Sequence, residues 1–163
     1  MKKKSPERAT EDVMPQSLAQ LYVHLIFSTK QREAVLRPEE RERLHSYLGG
    51  VLRQLECPLL GAGSVRDHVH LVFRQSKNLA LAQVVEDVKT SSSKWLKTQG
   101  DVYHDFHWQA GYGAFSVSAS RLDAVLQYAQ NQEQHHATES FQDELRRFFK
   151  KAGLEFDERY TWD

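Results

Sequence analysis

Two histidines separated by one residue, in the segment DHVHLVF at residues 67–73, are the strongest candidates for chemistry in this chain. On an extended strand successive side chains alternate faces. His68 and His70 would therefore share one face, and Val69, Leu71 and Phe73 the other. The two histidine backbones then lie roughly 6–7 Å apart, a separation from which two imidazole nitrogens can meet on one metal ion. Burial of the apolar set would fix the register and aim both rings at a common point. On a solvated sheet face the same pair would be two polar residues and nothing more.

A second group lies at residues 124–136, AVLQYAQNQEQHH, which reads as part of one helix. Leu122, Val125, Leu126 and Ala129 form its apolar stripe. Tyr128 and Gln132 are four residues apart, so they stack together beside that stripe. There a tyrosine can offer its hydroxyl to a neighbouring site, and the Gln132 side-chain carbonyl can act as a hard oxygen ligand. By itself Tyr128 also fits a half-buried packing role. His135 and His136 read as surface or helix-end residues.

These side chains need a scaffold. Residues 21–27, LYVHLIF, are rich in β-branched and aromatic types and read as a strand. Pro38 opens a helix whose apolar positions Leu44, Tyr47, Leu48, Val51, Leu52 and Leu55 follow helical spacing, and Pro58 ends it. Strands are expected at 59–65 and 68–73, joined by a tight turn at Arg66 and Asp67. A second helix carries Leu81, Val84, Val85, Val88, Trp95 and Leu96 and stops at Gly100. An irregular aromatic stretch follows, with Tyr103, Phe106, Trp108 and Tyr112, and then a short strand at 114–118. Ser120, with Asp123 three residues on, predicts a capped start to the tyrosine helix. An amphipathic helix at about 141–151 and the tail RYTWD close the chain. The order β-α-β-β-α-β predicts an α+β, ferredoxin-like (split βαβ) antiparallel sheet with helices on one face, plus a C-terminal tyrosine-bearing helix.

Composition sets the bounds. The 163 residues are 40% hydrophobic and 27% charged, ordinary values for a globular domain. Residues 1–18 are polar, with two prolines and no apolar run, and read as a flexible arm rather than a secretory signal; residues 19–163 read as a single domain. No membrane span is expected, and the lone Cys57, in the apolar run CPLL, suits a buried position and a cytoplasmic setting. Net charge is zero but uneven. Residues 19–100 hold twelve basic against eight acidic residues, and 101–163 hold six against eleven. The middle of the chain could therefore present a modest basic face.

Taken together, five segments make the sequence resemble the HUH-type single-strand DNA transposases, the small tyrosine transposases of the simplest bacterial insertion sequences. They are HLIFSTKQR, DHVHLVF, KTSSSKWL, WQAGYGAFSVSAS and YAQNQEQHH, in order from residue 24 to residue 136. The resemblance implies that His68, His70 and Gln132 hold one Mg²⁺ or Mn²⁺, and that Tyr128 attacks a DNA phosphorus to form a 5′-phosphotyrosine link. It implies cleavage and rejoining of single-stranded DNA that carries hairpins. It also implies a homodimer in which the tyrosine helix of one subunit can complete the histidine pair of the other, hinged at residues 118–121. Lys30, Arg32, Lys89, Ser92 and Lys94 are the expected DNA-backbone contacts. Trp108 and Tyr112 could stack on unpaired bases or pack in the core.

Two other functions remain open at this stage. A non-catalytic or domesticated hairpin-binding relative, of the type associated with repetitive palindromes, would need neither Tyr128 nor the histidine pair. A small zinc protein could use His68 and His70 with others from His104, His107, His135 and His136, although structural zinc sites favour closed tetrahedral ligation, often with cysteine.

Overall fold

The protein is described here by a computed structural model covering residues 16–162. The arm read at residues 1–18 therefore lies outside the described residues, apart from its last three. Four antiparallel strands form one sheet: β1 (Leu21–Ser28), β2 (Leu59–Ser64), β3 (His68–Gln75) and β4 (Gly113–Val117), in the order β2-β3-β1-β4. Helices α1 (Pro38–Gln54) and α2 (Leu81–Lys97) make the two crossovers. This is the expected ferredoxin-like α+β arrangement.

Strand alternation divides the sheet into two chemically different faces. Leu25 and Phe27 of β1, with Val69, Leu71 and Phe73 of β3, turn to one side and are fully buried. There they meet Leu44, Leu48 and Leu52 of α1 and Val84, Val88 and Leu96 of α2. Pro38 starts α1, its fixed φ suiting the first helical turn, and Arg37 pairs with Glu40 beside it. Cys57 is fully buried in this core, as its surroundings predicted. Helix α2 ends at Lys97; Gly100 sits just beyond it with φ +149°, a conformation that favours glycine.

The other sheet face carries His24, Ile26, Ser28, His68 and His70, and it too is covered. Helices α3 (Leu122–Gln130), α4 (Gln132–His135) and α5 (Phe141–Ala152) lie on this side, and α6 (Glu158–Thr161) ends the described chain. Ile26 packs with Phe141, Leu145 and Phe149 in a second apolar cluster. Ser140 caps α5 by accepting from the Asp143 N–H, and Gly153, at φ +68°, closes it.

Two local expectations fail here. The tyrosine helix begins through a 3₁₀ turn at Ala119–Arg121 and has no side-chain cap; Ser120 Oγ meets Ser118 Oγ at 3.2 Å instead of capping. Nor is 124–136 one helix, because Asn131 (φ −99°, ψ 33°) breaks it between α3 and α4.

Candidate metal and tyrosine site

His68 and His70 leave β3 on the second face and are completely buried. Glu144 of α5, also completely buried, places Oε1 2.8 Å from His70 Nε2, 3.1 Å from His136 Nε2 and 3.5 Å from His68 Nε2. The Nε2 atoms of His68 and His136 are 3.0 Å apart. These four side chains offer ligand atoms that all lie within 4.8 Å of one another. His136, read from sequence as a surface or helix-end residue, does sit at the end of α4 and is also part of the cluster.

The outward nitrogens reveal what the cluster needs. His68 Nδ1 meets Asp67 Oδ1 at 2.7 Å, and His136 Nδ1 meets the Glu139 carbonyl at 2.5 Å. An ionised carboxylate and a carbonyl can only accept, so both rings carry hydrogen on Nδ1. As neutral rings they turn bare Nε2 lone pairs toward each other and toward Glu144. Such an arrangement is repulsive unless extra protons or a cation sit within it. Three imidazoles and a carboxylate form a donor set suited to a divalent transition ion, and the residues fit a metal site.

Without an ion, protons on these rings fill that role. Burial alone would raise the Glu144 carboxyl, but hydrogen bonds with His136, His68 and His70 outweigh it and hold it far below the usual range. Burial pushes His70 down to about 4 despite Glu144, and burial together with His70 pushes His24 down to about 3. His68 moves upward, because Asp67 and Glu144 more than offset its burial.

Tyr128 projects from α3 into the same site. Its hydroxyl donates to Glu144 Oε2 and accepts from Arg147 Nη2 at 2.8 Å. Its ring stacks on His135 with centroids 4.3 Å apart and lies edge-on to His70 at 5.9 Å. Burial and the Glu144 charge raise the phenol well above its ordinary pKa, with Arg147 opposing them. Gln132 is also buried. Its Nε2 donates to the Tyr128 carbonyl at 2.8 Å, while its Oε1 is enclosed with no hydrogen-bond partner. A buried, unsatisfied carbonyl oxygen four residues from both Tyr128 and His136 is itself a candidate ligand atom.

The family description "Transposase IS200 like" fits residues 17–132, well over half of the chain. The chain belongs to the IS200-like transposase family. Two solved structures share its fold. One is a candidate transposase from Deinococcus radiodurans R1, 24% identical, with TM-score 0.57, covering 73% of this chain and 98% of that one. The other is a REP-associated tyrosine transposase bound to a REP hairpin, 9% identical, with TM-score 0.51, covering 74% of this chain and 70% of that one. No curated protein matches. The HUH-type recognition made from the sequence agrees with this assignment.

The family match ends at Gln132, so His136, Glu144 and Arg147 of this transposase lie beyond it. Sequence spacing did not find them. The available signal was a glutamate on the apolar stripe of the last long helix, among Phe141, Leu145 and Phe149, where a charge needs a partner. His24 carried a similar signal, since it shares a strand face with Ile26.

The expected DNA contacts divide. Lys30 and Lys94 are exposed. Arg32 is half-buried and lines a surface cavity of about 670 Å³ with Arg41, Arg66, Asp67, His136 and Ser140. Ser92 is a correction: it is fully buried, donates to the Val88 carbonyl at 2.6 Å and accepts from the Trp108 indole at 2.9 Å. Lys89 is a second. Its ammonium reaches the carbonyls of Gln109, Ala110 and Gly111 at 2.8, 3.3 and 2.6 Å, and burial lowers its pKa to about 8. Its three donors thus clasp the irregular segment, where a DNA phosphate would have to compete with them. Trp108 packs edge-on to Phe27 and Phe106 in the core, while Tyr112 is exposed.

Proposed function

We propose that residues 19–163 act as one HUH transposase unit that cleaves and rejoins single-stranded DNA through a 5′-phosphotyrosine. The observation that carries this reading is the convergence of Tyr128, His68, His70, His136 and Glu144 on one site of a transposase-family fold. His68, His70, His136 and Glu144 would hold the divalent ion, and the orphaned Gln132 carbonyl is the remaining candidate. Mg²⁺ or Mn²⁺ bound there would polarise a phosphoryl oxygen and stabilise charge on the departing 3′ oxygen. Imidazole ligands favour Mn²⁺, and cellular abundance favours Mg²⁺.

The chain's own groups set the nucleophile. Glu144 and burial keep Tyr128 a neutral phenol in the resting site, while Arg147 donates to the same oxygen and favours its ionised form. Attack forms the bond from Tyr128 Oη to phosphorus and breaks the bond from phosphorus to O3′, and the phenol proton leaves as the 3′-OH is formed. The phosphotyrosine conserves the bond's free energy, so a second 3′-OH can reverse the step and join new ends. Because Glu144 occupies the space before Tyr128, a phosphate must displace that contact on entry.

DNA with hairpins is the proposed partner, in keeping with the REP hairpin held by one fold neighbour. Arg32, Arg41 and Arg66 line the cavity that opens beside His136 and offer a route for the strand. Lys30 and Lys94 are proposed backbone contacts further out. A homodimer remains part of the proposal, although Tyr128 already meets the histidines of its own chain.

The test is a denaturing gel. Wild type and Tyr128→Phe are incubated with Mn²⁺ and labelled single-stranded DNA from the flanks of the gene. A DNA-linked protein band for wild type alone, abolished by chelator, is expected. Mobility shifts without attachment for both proteins would end the catalytic reading and favour hairpin binding.

A further inference from the structure

His24 is a buried histidine on β1 with no role in the reading above, yet its Nε2 lies 2.8 Å from His70 Nδ1. The contact joins residues 46 positions apart, because β1 and β3 pair antiparallel and place Ile26 opposite His70. The two rings lie 5.0 Å apart and tilted by 35°. His24 also lies edge-on to Phe148 at 5.4 Å and to Tyr128 at 6.3 Å, so packing holds its ring in place.

The three imidazoles of the cluster differ in what backs them. His68 is fixed by a carboxylate and His136 by a carbonyl, both acceptors only. The partner of His70 is another imidazole, which can accept or donate. With the hydrogen on His70 Nδ1, the Nε2 lone pair faces the cluster and His24 keeps its own hydrogen on Nδ1. With the hydrogen on His24 Nε2, His70 instead presents an N–H to Glu144, the arrangement that an ionised carboxylate 2.8 Å away favours while no ion is bound, and cannot serve as a ligand. Ligating histidines depend on the partner of their outer nitrogen for tautomer and orientation.

We infer that His24 is a positioning residue that accepts the His70 Nδ1 hydrogen and thereby turns His70 Nε2 into the ion site. The inference rests on the metal reading proposed above. It makes the β1 histidine a determinant of ion affinity, although it touches neither the ion nor the DNA.

The test titrates Mn²⁺ into the full chain by calorimetry, comparing wild type, His24→Phe, His24→Gln and His70→Ala. Phenylalanine fills the aromatic niche without an acceptor, and glutamine restores one. His24→Phe is expected to weaken Mn²⁺ binding by about 10- to 100-fold, with His24→Gln recovering much of the loss. Equal affinity in wild type and His24→Phe would overturn the inference alone. If wild type binds no Mn²⁺, or His70→Ala binds as well as wild type, the metal reading falls and this inference with it. A second measurement does not depend on the folding of any variant: ring ¹⁵N shifts of the wild-type histidines with Mg²⁺ added. Hydrogen on His70 Nδ1 is the expected tautomer, and hydrogen on its Nε2 would overturn the inference.

Discussion

Glu144 is the residue on which the site turns, because its two oxygens face different partners. Oε1 meets three imidazoles and Oε2 takes the Tyr128 hydroxyl. Glu144→Gln keeps the shape and removes the charge, which separates the two roles. Mn²⁺ affinity is expected to fall by about tenfold or more, since a neutral amide is a weaker ligand than a carboxylate. The Tyr128 phenol should titrate at lower pH than in wild type, because the Glu144 charge helps to hold its proton. Ultraviolet titration, with Tyr128→Phe as the blank, reads the second effect; an unmoved phenol would refute the coupling. At this scale the sequence was partly legible. His68 and His70 follow the period of a strand, so local geometry predicted their shared face, whereas Tyr128 and Gln132 were paired on one helix that breaks between them at Asn131. His24, His136 and Glu144 reach the same point from β1, from the end of α4 and from α5. Only the three-dimensional packing of those elements brings them together, and no spacing in the chain encodes it.

Helix α3 owes its place to the glycines of β2. A Cβ on Gly63 would overlap the Ala129 carbonyl oxygen and lie 2.6 Å from its carbon, so backbone rests directly on backbone. A Cβ on Gly61 would meet the Leu126 Cδ2 at 2.6 Å, the far end of a side chain that can turn aside. Gly63→Ala should therefore push α3 off the sheet, costing about 1–3 kcal/mol or more. It should also draw Tyr128 away from the cluster, one residue from the clash. Gly61→Ala should cost less and keep the covalent DNA band. Thermal midpoints and the denaturing-gel assay compare them; equal effects would contradict the backbone contact. The larger elements were legible because their apolar periods are long and clear, as in α1 and α2. The break at Asn131 was not. The run NQEQHH has no apolar spacing to count, and the Asn131 N–H bonds the Gln127 and Tyr128 carbonyls in a local turn that such a polar run does not announce.

For the whole molecule, burial of neutral histidines makes stability depend on pH. His24 and His70 titrate in the folded chain near 3 and 4, against about 6.5 when unfolded. Above pH 6.5 both states leave them neutral. Below it the unfolded chain takes up protons that the folded chain refuses, so stability falls as pH drops from 6.5 toward 4. His68 has the opposite sign, stabilising below 6.5 and losing that as pH rises through its raised folded value. Burial lowers His45 as well, so with three histidines against one the metal-free thermal midpoint should decline between pH 6.5 and 4, and His24→Phe should flatten the decline. Midpoints measured in chelator check this, and a wild-type midpoint constant down to pH 5 would contradict it. The arrangement of subunits is a separate matter at the same scale. α3 packs on β2 and β3 of its own chain, and Tyr128 reaches Glu144 and His70 without a partner. If the site is complete within one chain, mixing defective copies cannot repair it. Tyr128→Phe and His70→Ala proteins, each unable to form the DNA-linked band, should remain inactive when combined. Recovery of the band on mixing would instead mean that α3 crosses between subunits about residues 118–121, so that the tyrosine of one copy serves the histidines of the other.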